Sequence, residues 1–420
     1  MDKIVIHGGN KLSGEVRISG SKNSSLPILF STLLTDETVK INNVPLLDDT
    51  STALLLLSFI GKKIIRTGNS VEICSLNNIA YEHVAPCDLS KKIRASILII
   101  GPLLARLRNV SVVSPGGCNI GKRSIDIHLE AFNKLGAEIL FDDRYIKIFA
   151  KNKLNGAIIN FKFPSVGATE NILLASVLIN GRTVIMNAAC EPEIKDLVDV
   201  LRKMGAKITG EGTRNIVVYG VEKLHGFEHN IIPDRIEAAT YMMAAAITNG
   251  EIVIKNVIPK HLKSISDKLK KSGLYIEEQD NEIYIKWTKI LKSQNIKTSV
   301  YPGVPTDVQA QWMALMCLAN GNSIIKETIF ENRFLHVNEL QKFGANISVN
   351  GKTVNINGVK KFLGTQVIAS DIRAGAALIL AGLAAKGITT ISKIFYIDRG
   401  YEMFEKKLKN IGANIKRINE

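Results

Sequence analysis

Cysteine is scarce in this 420-residue chain. Its five cysteines (Cys74, Cys87, Cys118, Cys190, Cys317) are odd in number, widely spaced and lack any C-x-x-C pair. That excludes a disulfide-stapled scaffold and offers no zinc-site spacing, so the thiols read as reduced, in a cytoplasmic protein. Histidines are few and scattered. His225 and His229 stand four apart, but Gly226 between them reads as a surface loop rather than a metal-binding helix face, and no metal or cofactor site is expected. Aromatic residues make up only 6%, and no Lys- or Arg-rich run occurs. A nucleic-acid surface would interleave the two, so nucleic acid is not the expected partner. Long apolar runs are missing too. The longest, Ala95–Ala105 and Ala374–Ala385, fall short of the roughly 18 residues a membrane span needs. The start, MDKIVIHGG, does not read as a signal peptide. Acidic residues are the last shortage: 39 against 54 basic ones, a formal net charge of +15. A balance that basic favours an anionic partner.

What is present is a repeat. A helix end closing in glycine, followed by a short apolar strand, recurs as FIGKKI at Gly61, KLGAEI at Gly136, KMGAKI at Gly205, KSGLYI at Gly273, KFGANI at Gly344 and NIGANI at Gly412. Glycine suits the left-handed position that ends a helix. Before each lies an apolar helix, a turn and a β-rich strand, clearest in ASVLINGRTVIMN, MAAAITNGEIVIKN, LMCLANGNSIIKE and LAGLAAKGITTISK. Each unit therefore reads helix, strand, helix, strand, strand. Six units at about 70 residues are too long and too strand-rich for armadillo or TPR repeats. Three units per domain give an α/β protein of two similar domains. Residues 22–232 form the first, and residues 1–21 plus 233–420 the second. The opening segment, with strand-like VRIS, is expected to complete the sheet of the last unit.

The first helix of each unit starts with SGSKNSSLP, LSKKIRASI, PSVGATENI, PDRIEAATY, PTDVQAQWM or SDIRAGAAL. Most open on a Ser, Thr or Asp cap. Helix N-termini attract anions, and Lys22, Arg94, Arg235 and Arg373 stand among them. An anionic ligand between the domains is the expectation; the alternative is that each cation only decorates a first turn. Residues 114–128, SPGGCNIGKRSIDIH, place Cys118 among Gly116, Gly117 and Gly121 with Lys122 and Arg123 beside it. Neighbouring cations favour the thiolate, so Cys118 reads as reactive rather than as an inert buried thiol. The segment nearly matches a P-loop, but Arg123 stands where magnesium binding needs Ser or Thr.

These residues carry a resemblance. GSKNSSLPIL at Gly20, PGGCNIGKR at Pro115, PSVGATEN at Pro164, EPEI at Glu191, PDRIEA at Pro233, PTDVQAQ at Pro305, ENRFLHV at Glu331, DIRAGAALILAGLAA at Asp371 and IDRGYE at Ile397 together span essentially the whole chain. They resemble the UDP-N-acetylglucosamine 1-carboxyvinyltransferase family, enolpyruvyl transferases that open bacterial peptidoglycan synthesis and hence serve cell-wall growth and division. The resemblance implies two inside-out α/β domains of three units each. It implies no cofactor, and as substrates phosphoenolpyruvate and the nucleotide sugar.

By the same resemblance Lys22, Asn23, Arg123, Asp371 and Arg399 bind phosphoenolpyruvate, and Lys22, Cys118, Asp307 and Arg399 carry the catalysis. Cys118 would be the general acid at the methylene carbon, and Asp307 would take the proton of the sugar 3′-hydroxyl. The nucleotide sugar would contact Arg94, Arg123, Ser124, Ile125, Asp126, Ile127, Ser165, Val166, Gly167, Asp307 and Ile329, with Arg333 in support. Fosfomycin, an epoxide, would alkylate Cys118. Read without the resemblance, Asp307 and Asp371 are also plausible helix caps. Ser124, Phe163 and Cys190 depart from residues that some members carry, and none of them removes a reacting group. Rival readings are the shikimate-pathway enolpyruvyl transferase, which lacks the Gly-Gly-Cys loop, a nucleic-acid-binding protein, and a degenerate regulator that only binds the nucleotide sugar.

Overall fold

The computed structural model describes residues 2–75, 86–113, 125–142 and 144–419. Cys118, Arg123 and Ser124 lie outside the described residues. The described residues between 20 and 232 form one compact unit; those before 20 together with those after 232 form the other. The chain therefore changes unit between Ser19 and Gly20, two residues earlier than the sequence pattern suggests, and again between Ile232 and Pro233. Hydrogen bonds explain the early change. The Ser19 amide donates to Glu237 and its carbonyl accepts from the Asp234 amide, whereas the Ser21 amide donates to the Ile232 carbonyl.

Each unit carries three sheets of three or four strands among the described residues. Strand burial alternates, as in buried–exposed–buried–intermediate along Val39–Asn42, so one face of each sheet packs inward. The inward partners are apolar helices. Every residue of Lys22–Ser31 but Asn23 is buried, and so is every residue of Arg235–Ile247 but Arg235. A helix that is apolar all round belongs in a core. In the second unit Arg235–Ile247, Gln309–Met316 and Ile372–Ala384 pack on one another. Each unit has its own continuous hydrophobic cluster, with helices inside and sheets outside.

The helix-closing glycines take the predicted conformation: Gly61, Gly136, Gly205, Gly273, Gly344 and Gly412 all have φ between 94° and 113°. A side chain there would meet the backbone strain that glycine avoids.

The opening segment departs in part from expectation. Lys3–His7 does complete the last sheet, lying antiparallel between Ile388–Ser392 and Asn414–Ile418. Ser13–Arg17, which holds part of VRIS, instead runs parallel to Glu251–Lys255 in the sheet of the fourth unit. That sheet needs a parallel edge strand, the part Ile158–Asn160 plays beside Arg182–Met186 within the other unit. Glu228–Asn230 does the same beside Val39–Asn42. His229 therefore sits buried on a strand, and not in the surface loop its neighbour Gly226 suggests.

Candidate active site

The unit of residues 20–232 builds its first group around Gly20. A Cβ there would stand 1.7 Å from the Asn43 carbonyl oxygen, so only glycine fits. The chain then turns into a helix whose cap is Ser21, its hydroxyl accepting from the Ser24 amide at 3.3 Å. Lys22 and Asn23 follow at the free N-terminal turn. Lys22 is buried, and its ammonium lies 2.6 Å from Asp49 Oδ2, itself buried. Asn23 is half-buried.

The second group is the start of helix Val166–Ser176. Ser165 caps it, accepting from the Ala168 amide. Val166 and Gly167 thus present the first turn, where free amides favour an anion. Behind Gly167 lies His128, close enough that a Cβ on the glycine would touch its ring at 3.4 Å. His128 carries no motif signal in the sequence and sits two positions beyond Asp126 on the helix Asp126–Lys134. Asn171 orients it. The amide Nδ2 donates to the Ile97 carbonyl at 2.9 Å and faces His128 Nδ1 at 3.2 Å, while Oδ1 accepts from the Gly101 amide at 2.8 Å. With Nδ1 accepting, the ring proton lies on Nε2. Burial, and then the charge of Arg94, lowers the His128 pKa to about 4, so the imidazole is neutral at pH 7. Arg94 is half-buried at the start of a 3-10 turn, and Ile125, Asp126 and Ile127 lead into the His128 helix. Nearby, burial and then Glu193 and Glu191 raise Glu170 from 4.5 to about 8.

In the other unit the carboxylates separate their roles. Asp371 is the cap of helix Ile372–Ala384: Oδ1 accepts from the amides of Arg373 and Ala374 at 2.9 and 3.0 Å. Asp307 makes no such cap, although the sequence allowed one. Its Oδ1 lies 2.7 Å from Arg333 Nη2 and its Oδ2 lies 3.4 Å from Arg373 Nη2. Both arginines are buried, while the Asp307 side chain keeps 28% of its exposure. Arg373 stacks over the Tyr401 ring at 5.6 Å, and its Nη1 is buried with no hydrogen-bond partner among the described residues. Burial works against its charge, but Asp307, Tyr401 and Asp234 outweigh that and raise its pKa. Gln311 ties the group to the helix core, donating to the Asp307 carbonyl at 3.1 Å and to Tyr401 at 3.0 Å.

Glu327 carries no motif signal of its own, yet it shapes this region. It is fully buried, and it accepts from Thr298 and Thr306 side chains at 2.9 Å each and from the amides of Ile329 and Phe330 at 2.7 and 3.2 Å. One carboxylate thereby fixes both Thr306, next to Asp307, and Ile329. Arg399 is half-buried and ends the short helix Phe395–Asp398.

Three of the cations at equivalent helix starts meet local partners: Lys22 meets Asp49, Arg373 meets Asp307, and Arg235 stacks on Tyr301 at 5.7 Å. The fourth, Arg94, bears on His128 only by a charge that disfavours the imidazolium. Two of the other cysteines are unsuited to reaction: burial pushes the Cys317 thiol up to about 12, and burial also raises Cys190.

Comparison with known proteins gives a consistent answer. The UDP-N-acetylglucosamine 1-carboxyvinyltransferase of Endomicrobium trichonymphae is 63% identical over 419 residues, covering all of both chains. The enzyme of the same name from Geotalea uraniireducens is 49% identical over 420 residues, again covering all of both. Among solved structures, the enolpyruvyl transferase NikO from Streptomyces tendae superposes with a TM-score of 0.89 at 25% identity, covering 100% of this chain and 99% of that one. EPSP synthase from Acinetobacter baumannii shares the fold, with a TM-score of 0.78 at 19% identity and full coverage of both. Residues 6–408 match the EPSP synthase (3-phosphoshikimate 1-carboxyvinyltransferase) family. With that match and full-length identity at this level, the chain belongs to the EPSP synthase family of enolpyruvyl transferases, alongside the UDP-N-acetylglucosamine 1-carboxyvinyltransferases.

Proposed function

We propose that this chain transfers the enolpyruvyl group of phosphoenolpyruvate to the 3′-hydroxyl of UDP-N-acetylglucosamine, releasing phosphate and committing the sugar to peptidoglycan synthesis. The observation that carries this reading is the 63% identity, end to end, with a transferase of that name. No cofactor is needed for the chemistry.

In this reading the acid is Cys118. Its thiol proton goes to the methylene carbon C3 of phosphoenolpyruvate while the sugar 3′-oxygen bonds to C2. Asp307 takes the hydroxyl proton. The result is a tetrahedral ketal. C3 then returns a proton to the Cys118 thiolate, the C2–O bond to phosphate breaks, and the double bond reforms in the enolpyruvyl ether. Both halves are general acid–base steps, each worth roughly 10²–10⁴ in rate. Asp307 enters with its oxygens against Arg333 and Arg373, so the arriving hydroxyl must take over part of that shell.

Lys22, Asn23, Arg123, Asp371 and Arg399 bind phosphoenolpyruvate, whose phosphate and carboxylate suit guanidinium forks and an ammonium. Cations also stabilise the anionic ketal. Arg94, Arg123 to Ile127, Ser165 to Gly167, Asp307 and Ile329 hold the nucleotide sugar, with its diphosphate toward the helix start at Ser165. The neutral His128, proton on Nε2, adds a donor behind Gly167. For Asp371, occupied as a cap, the substrate role falls to the oxygen Oδ2, which contacts only Ser370 Oγ at 3.3 Å among the described residues. The reaction is placed in the cytoplasm, where both substrates are made; no helix among the described residues is long and apolar enough to cross a membrane. Fosfomycin alkylates Cys118 by a different step: the thiolate sulfur bonds to an epoxide carbon, that carbon's C–O bond breaks, and the ring oxygen takes a proton to become a hydroxyl.

Phosphate release from phosphoenolpyruvate tests the reading, on wild type, Cys118→Ala and Asp307→Asn, with and without UDP-N-acetylglucosamine. Release that needs both substrates and falls by at least about 100-fold in each variant is expected. Release without the sugar, or undiminished in Cys118→Ala, would overturn it. Bound nucleotide sugar without any release would point to a regulator instead.

A further inference from the structure

The helix turn carrying Lys22 and Asn23 is anchored from a distance by a buried chain of polar groups. Ser24 is fully buried, and its hydroxyl donates to Asp196 Oδ2 on the helix Pro192–Lys203. The neighbouring serine behaves differently: Ser25 bonds back to the Ser21 carbonyl at 2.8 Å, the usual local choice for a helical hydroxyl. Asp196 Oδ1 accepts from His229 Nε2 at 2.9 Å, and both side chains are more than 90% buried. His229 Nδ1 faces the Lys203 ammonium at 3.2 Å. An ammonium can only donate, so Nδ1 accepts and the ring proton is on Nε2, directed at Asp196. Lys203 also donates to the Glu228 carbonyl at 3.1 Å. The chain is thus Lys203, His229, Asp196, Ser24: Lys203 donates to His229, His229 donates to Asp196, and Ser24 donates to the same carboxylate from the other side.

Asp196 therefore holds a hydroxyl one residue past Asn23 and two past Lys22. Lys22 itself rests on Asp49 in this structure. When an anion arrives, the ammonium must share or change that partner, and the turn then needs a fixed point that does not move with it. Ser24 on Asp196 supplies that point. A charged acceptor makes the bond roughly twice as strong as a neutral one.

We propose that Asp196 is a positioning residue for phosphoenolpyruvate binding, acting through Ser24 to fix the Lys22–Asn23 turn, with His229 and Lys203 fixing Asp196. This rests on the reading of Lys22 and Asn23 as phosphoenolpyruvate ligands.

The test is a double-mutant cycle on Ser24→Ala and Asp196→Asn, reading kcat and the KM of each substrate separately, with thermal midpoints alongside. Ser24→Ala removes one atom, so the fold survives. Each single variant should raise the KM for phosphoenolpyruvate about tenfold. The KM for UDP-N-acetylglucosamine and kcat should stay within about twofold, and the double variant should be no worse than the weaker single. A purely structural role would raise both KM values together or give additive losses, and either result overturns the proposal, as does an unchanged KM for phosphoenolpyruvate. Lys22→Met is the control. If it leaves phosphoenolpyruvate KM unaltered, the ligand reading of Lys22 fails; if it raises that KM while the Ser24 and Asp196 variants do not, only the positioning role fails.

Discussion

Replacing Glu170 with glutamine should make the protein more stable in alkali and leave it nearly unchanged in acid. Glu170 lies in the first turn and a half of the helix that starts at Val166, fully buried, with Glu193 and Glu191 close by. Burial disfavours its charge, the two neighbours add repulsion, and its pKa rises from 4.5 to about 8. A raised carboxyl pKa means the folded state holds a proton that the unfolded chain has already lost. Stability is therefore full below pH 4.5 and is lost as pH climbs toward 8. At about 1.4 kcal/mol per pKa unit, the loss reaches about 5 kcal/mol well above pH 8, and about 3.5 kcal/mol accrues between pH 5 and pH 8. Glutamine keeps the shape and does not ionise, so its unfolding free energy relative to wild type should grow by about that amount over the interval. Urea unfolding at pH 5, 6.5 and 8, followed by fluorescence, reads it directly; titrating groups that do not interact with Glu170 are common to both proteins and cancel. A difference that is the same at all three pH values would refute the argument, because a constant offset reports packing and not a proton. Since this helix start is where the nucleotide sugar is proposed to bind, wild-type binding of UDP-N-acetylglucosamine should also weaken above pH 8 more than the variant's.

Three further outcomes follow from particular contacts. Asp371→Asn preserves a good cap, so the thermal midpoint should hold within a degree or two while the KM for phosphoenolpyruvate rises; unchanged kinetics would mean that Asp371 only caps its helix. Arg333→Met removes the closer of the two arginines that face Asp307. Steady-state turnover should fall by about tenfold or more, with a stability cost of about 1–3 kcal/mol in denaturant unfolding, and wild-type turnover would show that Arg333 does not orient the base. Gly101→Ala adds a good helix former, worth about 0.5–1 kcal/mol, yet places a Cβ 2.4 Å from the Asn171 carbonyl oxygen. The clash should win by about 1–3 kcal/mol net, and a raised thermal midpoint would contradict the packing of these helices.

Much of the architecture can be read in the sequence because it depends on local physics repeated six times. Six helix-closing glycines at nearly constant spacing need a left-handed backbone, and all six have it. The Ser and Asp residues before the inner helices read as caps, and Ser21, Ser165, Asp234 and Asp371 accept from the amides of the first turn. Strand partners were less accessible. Nothing in the residues of Ser13–Arg17 says that it pairs with Glu251–Lys255, more than 230 positions away, while Lys3–His7 pairs with strands near the other end of the chain. A parallel edge strand has the same alternation whichever sheet it joins, and only closure of each unit selects the partner.

The candidate site divides along the same line. Residue type and position marked Lys22 as a cation and Asp307 and Asp371 as caps at helix starts, since these are local features, while their substrate roles came only from the family resemblance. Whether such a carboxylate caps its helix or faces two arginines is decided by what the fold brings beside it: Asp371 took the first course, and Asp307, reached by Arg333 from 26 residues on and Arg373 from 66, took the second. His128, Glu327 and Asp196 gave no signal, being ordinary polar residues in ordinary segments until burial made each hydrogen bond count, and His229 read as part of a surface loop. The sequence by itself determined the six-fold repeat, the helix ends and the chemistry available at them. Tertiary structure decided which charges meet, because a buried carboxylate must find its donors wherever the chain returns, and distance along the sequence carries no information about that.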